Sequence, residues 1–242
     1  MSPFIKYPNL PEDRVTLAAV GNYPEIIRAL NTLGIRTVSL ESDVLPDEIS
    51  RHQDMLLCHT GENTLFLDPG QDKALLENEG FRVKAVPPLK DTYPGDALLN
   101  VAVGRDFFIY NPKSADPALV SELAKSGRRP VKVKQGYTKC SVCFVTENAL
   151  ITEDPSIYEA LRDTEADVLF ISKGDIYLSE EHYGFFGGST GKTHKHTLAV
   201  TGSLSHHSDG EKIRAFCHSH NVDILELTKG RITDIGGILP LK

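Results

Sequence analysis

Apolar residues along this chain change spacing in a regular way, from three-and-four to two, and the change recurs five times. The segments are NYPEIIRALNTLGIRTVSL from Asn22, DKALLENEGFRVKAV from Asp72, PALVSELAKSGRRPVKV from Pro117, PSIYEALRDTEADVLFI from Pro155 and GEKIRAFCHSHNVDILEL from Gly210. Each predicts a helix, a break and a strand. The helical halves carry one apolar stripe, as in Ile26, Ile27 and Leu30, Leu119, Val120 and Leu123, or Ile157, Ala160 and Leu161. The strand halves alternate, with Val83 and Ala85 or Val131 and Val133 separated by Arg or Lys. Asp116-Pro117 and Asp154-Pro155 mark helix starts, the acid as a cap and the proline in the first turn.

A strand pair precedes four of these units. DMLLCHTGENTLFLDPG from Asp54, DALLNVAVGRDFFIYNP from Asp96 and KCSVCFVTENALITEDP from Lys139 align with each other, and GGSTGKTHKHTLAVTG from Gly187 is the fourth copy. Asp54, Asp96 and Lys139 thereby become equivalent positions. The first unit, VTLAAVG from Val15, lacks an opening strand, while the chain ends on an unpartnered one, IGGILPLK from Ile235. The C-terminus is therefore expected to complete the N-terminal unit. The predicted architecture is a single α/β domain over residues 1–242, a ring of five ββαβ units with residues 1–14 as an extension, closed by the last strand and so freed of a sheet edge. An all-β propeller has a similar period but no helix in every unit; two separate α/β domains are the other arrangement.

Composition narrows the function. The chain of 242 residues has 26 Lys and Arg against 33 Asp and Glu, a net charge of −7, with 40% hydrophobic and 24% charged residues. That is ordinary globular composition, and its acidity disfavours nucleic acid. Its longest apolar stretches, those around Asn100, are too short for a membrane span. The start, MSPFIKYPNLPEDR, has no apolar signal-peptide core, and Cys58, Cys140, Cys143 and Cys217 are too few and irregular for a disulfide scaffold. A cytoplasmic protein is expected, with no nucleic-acid or membrane partner.

Several motifs carry a resemblance. Pro94-Gly95-Asp96-Ala97-Leu98 followed by Gly104-Arg105-Asp106-Phe107-Phe108 resembles the Gly-Gly-Asp-Val-Leu and Gly-Arg-Glu-Phe-Phe run of the dimethylarginine hydrolases. Asp54, ahead of Glu62-Asn63-Thr64-Leu65, resembles the acid of their first unit. Glu226-Leu227-Thr228-Lys229-Gly230-Arg231 to Gly236-Gly237 resembles the tail of arginine deiminases. Five such units resemble the pentein superfamily, the guanidine-modifying-enzyme fold that also includes amidinotransferases, and within it most an uncharacterised bacterial family. The resemblance implies a central channel where carboxylates grip a planar guanidinium; Asp54 and Asp96 would then face one another across the axis, although a strand-opening Asp also serves to bond backbone amides in a turn. It further implies a nucleophilic cysteine after the Gly-Gly and a histidine in the third unit. Here those positions hold Ile238 and Thr138. Standard arginine deiminase or dimethylarginine hydrolase chemistry is therefore not expected, and the cationic Lys139 would weaken a guanidinium site.

Other residues offer chemistry. Cys140, beside Lys139, is the substitute nucleophile, or else a small buried hydrophobe. His52 and Asp54, two apart on an extended segment, would share a face as a base and its orienting partner; His52 reads equally as a solvated loop residue. Gly187-Gly188-Ser189-Thr190-Gly191-Lys192-Thr193 imitates a phosphate loop but has Phe186 where glycine is required and a strand where a helix must follow. Gly187, Gly188 and Ser189 would still offer free amides and a hydroxyl to an anion, on a loop able to act as a lid. Cys140-x-x-Cys143 precedes a strand, which puts the two thiols on opposite faces, and His194-x-His196 reads as surface histidines. No metal and no cofactor are expected. The functional expectation is an axial cavity binding a small polar ligand, guanidino or amino-acid-like, in a divergent amidine-modifying enzyme; the alternative is a non-catalytic pentein acting as a binding or interaction protein.

Overall fold

The structure, a computed structural model, describes residues 2–242. Five three-stranded sheets follow the predicted units. The second unit has β3 (Leu57–Gly61), β4 (Thr64–Leu67), the one-turn helix α3 (Ala74–Glu77) and β5 (Arg82–Ala85), preceded by a further turn of helix, α2 (Gln53–Leu56). The third has β6 (Ala102–Val103), β7 (Phe107–Tyr110), α4 (Pro117–Lys125) and β8 (Arg129–Lys132). The fourth has β9 (Cys143–Phe144), β10 (Ala149–Thr152), α5 (Pro155–Leu161) and β11 (Asp167–Phe170), and the fifth β12 (Thr190–His194), β13 (Thr197–Val200), α6 (Gly210–Ser219) and β14 (Asp223–Glu226). The first unit has β1 (Leu17–Ala19), α1 (Pro24–Thr32) and β2 (Arg36–Val38), and takes its opener, β15 (Leu239–Pro240), from the end of the chain: Ala18 pairs with Pro240 and Ala19 with Leu239, antiparallel. In every unit the middle strand runs antiparallel to the opener and parallel to the outer strand.

The hydrophobic core explains why the units form a ring. Successive residues of each middle strand point to opposite faces, and each face meets a different neighbour. Leu65 and Leu67 join Leu17 and Ala19 of the first unit, while Phe66 joins Phe108 and Leu119 of the third. Phe107 and Ile109 join Phe144 and Leu150; Ala149 and Ile151 join Leu198 and Val200; Ala199 joins Ala18 and Val20. The core thus consists of five clusters, each shared between adjacent units, and the fifth returns to the first. Middle strands buried on both faces read as continuous apolar runs.

Closure differs from the expected removal of sheet edges. The five sheets remain separate, joined by side-chain packing and by backbone hydrogen bonds outside the ladders, so the outer strand of each is an edge. Charge guards those edges, through Arg36, Arg82, Lys84, Arg129, Lys132, Asp167, Asp223 and Glu226. Residues 2–14 cross one end of the ring: the Glu62 amide donates to Ile5 O (3.0 Å), Asn9 Nδ2 to Val103 O (2.9 Å) and the Val15 amide to Thr193 O (2.9 Å). Among the described residues no helix is long and apolar enough to cross a membrane.

Candidate functional site

The turns that lead into the opening strands converge at the centre of the ring, where they deliver a buried polar cluster. His52 caps the start of α2 with extended backbone, and Asp54 lies within that helical turn. The two therefore do not share the face of an extended segment, because residues two apart on a helix diverge. They reach the cluster through different partners. Asp54 Oδ2 accepts from the Cys140 thiol at 3.0 Å, whereas His52 Nδ1 lies 3.7 Å from Asp234 Oδ1. Cys140 is buried, yet its surroundings are polar. Its sulfur also receives the Asn100 side-chain amide (3.2 Å), and Asn100 Oδ1 accepts the Lys139 amide at 2.7 Å.

Asp96 reaches the same region from the third unit. Its Oδ2 accepts from the Tyr137 hydroxyl at 2.7 Å, and Tyr137 stacks 5.9 Å from the ring of Tyr93, which is 47% exposed. Glu153 follows β10 and accepts the Phe186 amide (2.9 Å). Asp234 accepts the amides of Phe185 (2.9 Å) and Gly236 (3.0 Å). Gly236 sits at φ +71° directly against the His52 backbone, where a side chain would collide with it. The Gly-Gly run thus seats the turn that carries His52.

Four carboxylates, those of Asp54, Asp96, Glu153 and Asp234, are each no more than 3% exposed. Atoms buried with no hydrogen-bond partner among the described residues include Asp54 Oδ1, Asp96 Oδ1, Glu153 Oε2 and His52 Nε2. Burial pushes the Glu153 carboxyl up to about 8 and raises that of Asp234. The Cys140 thiol is raised well above its usual value, by burial first and then by the negative charge of Asp54 and Asp234. At neutral pH it is a protonated donor to Asp54. Burial and the Asp96 bond likewise raise Tyr137. Lys139 is buried beside these groups, its Nζ donating to Gly187 O at 3.2 Å.

Other predicted residues are spent on the fold. Gly187, Gly188 and Ser189 are buried in a 3-10 turn rather than held on an exposed lid; the Gly188 amide donates to Cys140 O (2.8 Å) and the Ser189 hydroxyl to Phe186 O (2.8 Å). The amide and hydroxyl expected to meet an anion already have partners. Ile238 lies in the core between the fifth and first units. The Thr138 hydroxyl donates to Asn100 O (2.7 Å). His194 and His196 lie outside the axial cluster at the end of β12, where the His196 amide donates to His194 Nδ1 and His196 Nδ1 lies 2.9 Å from Asn221 O.

The axial cavity is small. A space of about 20 Å³ lies between Asp54, Lys139, Leu57, Cys58 and Leu239, closed from one end by Pro8 and Asn9. It has room for roughly one water, not for an arginine side chain. Tyr137, bonded to Asp96 and packed against the exposed Tyr93, covers Asp96 Oδ2.

Sequence reasoning missed Asn100, Tyr137, Glu153 and Asp234. Asn100 left a trace, as the one polar residue inside the apolar stretch from Ala97 to Val103.

The fold is similar to that of known proteins. The structure resembles the inosamine-phosphate amidinotransferase of Streptomyces griseus with a TM-score of 0.59 at 12% identity, covering 100% of this chain and 97% of that one. It resembles the agmatine deiminase of C. jejuni at 0.55 and 11%, covering 93% and 90%, and the DDAH of Pseudomonas aeruginosa at 0.54 and 12%, covering 93% and 96%. The fold is therefore the pentein fold. No curated protein matches the chain in sequence. Residues 20–239 match the model of a family of unknown function, DUF6873.

Proposed function

We propose that this chain, which belongs to the DUF6873 family of unknown function, binds a small polar ligand, guanidino or amino-acid-like, on its axial carboxylates, with Asp54 and Asp96 as the clamp. The observation that carries this reading is the pair of buried, unpartnered oxygens, Asp54 Oδ1 and Asp96 Oδ1. A buried acceptor without a donor costs roughly 1–3 kcal/mol, more when charged. A guanidinium supplies several donors in a rigid plane together with a positive charge that the buried Asp54 and Asp96 carboxylates favour. The fold supports the same class, since it is shared by proteins named for amidino transfer and for agmatine deimination. Lys139 opposes it, since its Nζ is bonded to the neutral Gly187 O and keeps its positive charge.

A thermal-shift screen of arginine, agmatine and N-methylated guanidines tests the clamp. A ligand at 100 times its dissociation constant adds roughly 2.7 kcal/mol of stability. The shift is expected to shrink in Asp54→Asn and in Asp96→Asn. Unchanged shifts in both variants would remove the axial site from consideration.

A catalytic reading rests on one observation: Cys140 Sγ, a His52 ring nitrogen and an Asp234 oxygen lie within 4.8 Å of one another. In that reading a bound cation offsets the carboxylates that hold the thiol protonated, and His52, oriented by Asp234, takes its proton. The thiolate then adds to the amidine carbon, and the amine leaves with the proton from His52. Alkylation kinetics discriminate. If Cys140 reacts no faster with a guanidino ligand present than without it, the protein is a binding member of the fold.

A further inference from the structure

The centre of the ring also contains a set of side chains that could ligate a metal ion. The sulfur of Cys140, a ring nitrogen of His52 and a carboxylate oxygen of Asp234 come from three separate segments: the turn before β9, the residue before α2 and the loop before β15. These donors all lie within 4.8 Å of one another, and Asp54 Oδ2 stands 3.0 Å from the sulfur. All four residues are at most 3% exposed. His52 Nε2 and Asp54 Oδ1 are fully buried and have no partner among the described residues. A guanidinium held on the Asp54 and Asp96 clamp is matched to carboxylates, and in that binding reading the thiol sulfur and the imidazole nitrogen have no assigned contact. Thiolate, imidazole and carboxylate together are the donors of a borderline-soft divalent ion with a tetrahedral preference.

We propose that Cys140, His52 and Asp234 form a zinc-type transition-metal site, with Asp54 as the fourth ligand. Bond lengths of about 2.0 to 2.3 Å place neighbouring ligands of a tetrahedral zinc roughly 3.3 to 3.8 Å apart. For Cys140, His52 and Asp234, whose donors lie within 4.8 Å of one another, side-chain adjustments of about 1 Å reach that spacing. Asn100 and Gly236 supply the support around the ligands, one bonding the sulfur and the other seating the His52 backbone. Binding releases the thiol proton. The site goes beyond the guanidinium reading and shares only Asp54 with the clamp: Cys140, His52 and Asp234 take no part in the clamp, and Asp96 takes no part in the metal site. It also lies apart from His194 and His196 at the end of β12.

The test is a titration of metal-free protein with Co²⁺, followed by absorption. About one equivalent should bind, with a thiolate-to-cobalt charge-transfer band in the near ultraviolet and the visible bands of four-coordinate cobalt. Cys140→Ser should abolish the charge-transfer band, and His52→Gln and Asp234→Asn should each weaken binding at least tenfold. A double His194→Gln, His196→Gln variant should leave the spectrum unchanged. Because core substitutions can unfold the chain, X-ray absorption on the zinc-loaded unaltered protein gives a second reading, with one sulfur expected at about 2.3 Å beside nitrogen and oxygen at about 2.0 to 2.1 Å. A shell without sulfur, no binding at all, or a signal lost only in the surface-histidine variant would overturn the proposal. Asp96→Asn separates the two readings, since it should reduce guanidine binding and leave the cobalt spectrum intact.

Discussion

Glu153 meets the axis with one oxygen on the Phe186 amide and the other unpartnered, and burial raises its carboxyl to about 8 from an ordinary value of 4.5. Between those two values the native chain holds a proton that the unfolded chain has released. Stability therefore falls as pH rises through this window. Glu153→Gln keeps an acceptor for Phe186 and removes the titration. In chelator-treated protein it should stabilise the fold by on the order of 2 kcal/mol at pH 8 and change little at pH 5, as read from urea midpoints; parallel pH profiles for the two proteins would contradict this. The residues legible in the sequence, Asp54, Asp96, Lys139 and Cys140, stand where repeats open, so alignment of the chain with itself finds them. Glu153 is hidden beside the helix cap Asp154, and Asp234 lies outside the aligned segments. Their roles depend on partners that only the folded ring brings near, and spacing along one strand or helix carries no trace of such contacts.

Helices and strands are far more legible, because each leaves a local signature. Asp116 and Asp154 cap α4 and α5 as their Asp-Pro pairs predict; Asp116 Oδ1 accepts the amides of Ala118 and Leu119, both at 2.9 Å. Asp116→Ala should cost about 1–2 kcal/mol, measured as a lower urea midpoint at unchanged slope, and Asp116→Asn much less. The alternation seen in Val131 and Val133 describes outer strands with one buried face. The middle strands are buried on both faces by neighbours that only the closed ring supplies. Element length is harder to read than element type. The helix predicted from Asp72 is one turn, α3, because Gly80 at φ +88° ends it shortly after the Asp72 cap. Similarly, β6 and β9 have only two residues each, since the turns before them are drawn to the axis by Asn100 and Cys140.

At the scale of the molecule, stability depends on the ring being complete, since no unit has a core of its own. Leu241, fully buried in the apolar cluster between the first and second units, belongs to the segment that closes the circle. Leu241→Ala should therefore cost about 2–5 kcal/mol in chemical denaturation. Deleting residues 239–242 should do more, baring the edge of β1 and giving a species that aggregates in size-exclusion chromatography. The pairing of β15 with β1 has another consequence. The Ile5 amide donates to Leu241 O at 3.0 Å, and Lys242 Nζ lies 5.4 Å from the Phe4 ring, so the two chain ends are neighbours. A circle whose ends touch has no fixed origin. A permuted chain, with Lys242 linked to Ser2 through a short flexible peptide and new ends opened at the exposed Gly174, should regain the same circular-dichroism spectrum and a single cooperative transition. What persists through such a rearrangement is the order of units around the circle, and which of them is translated first becomes a matter of convenience.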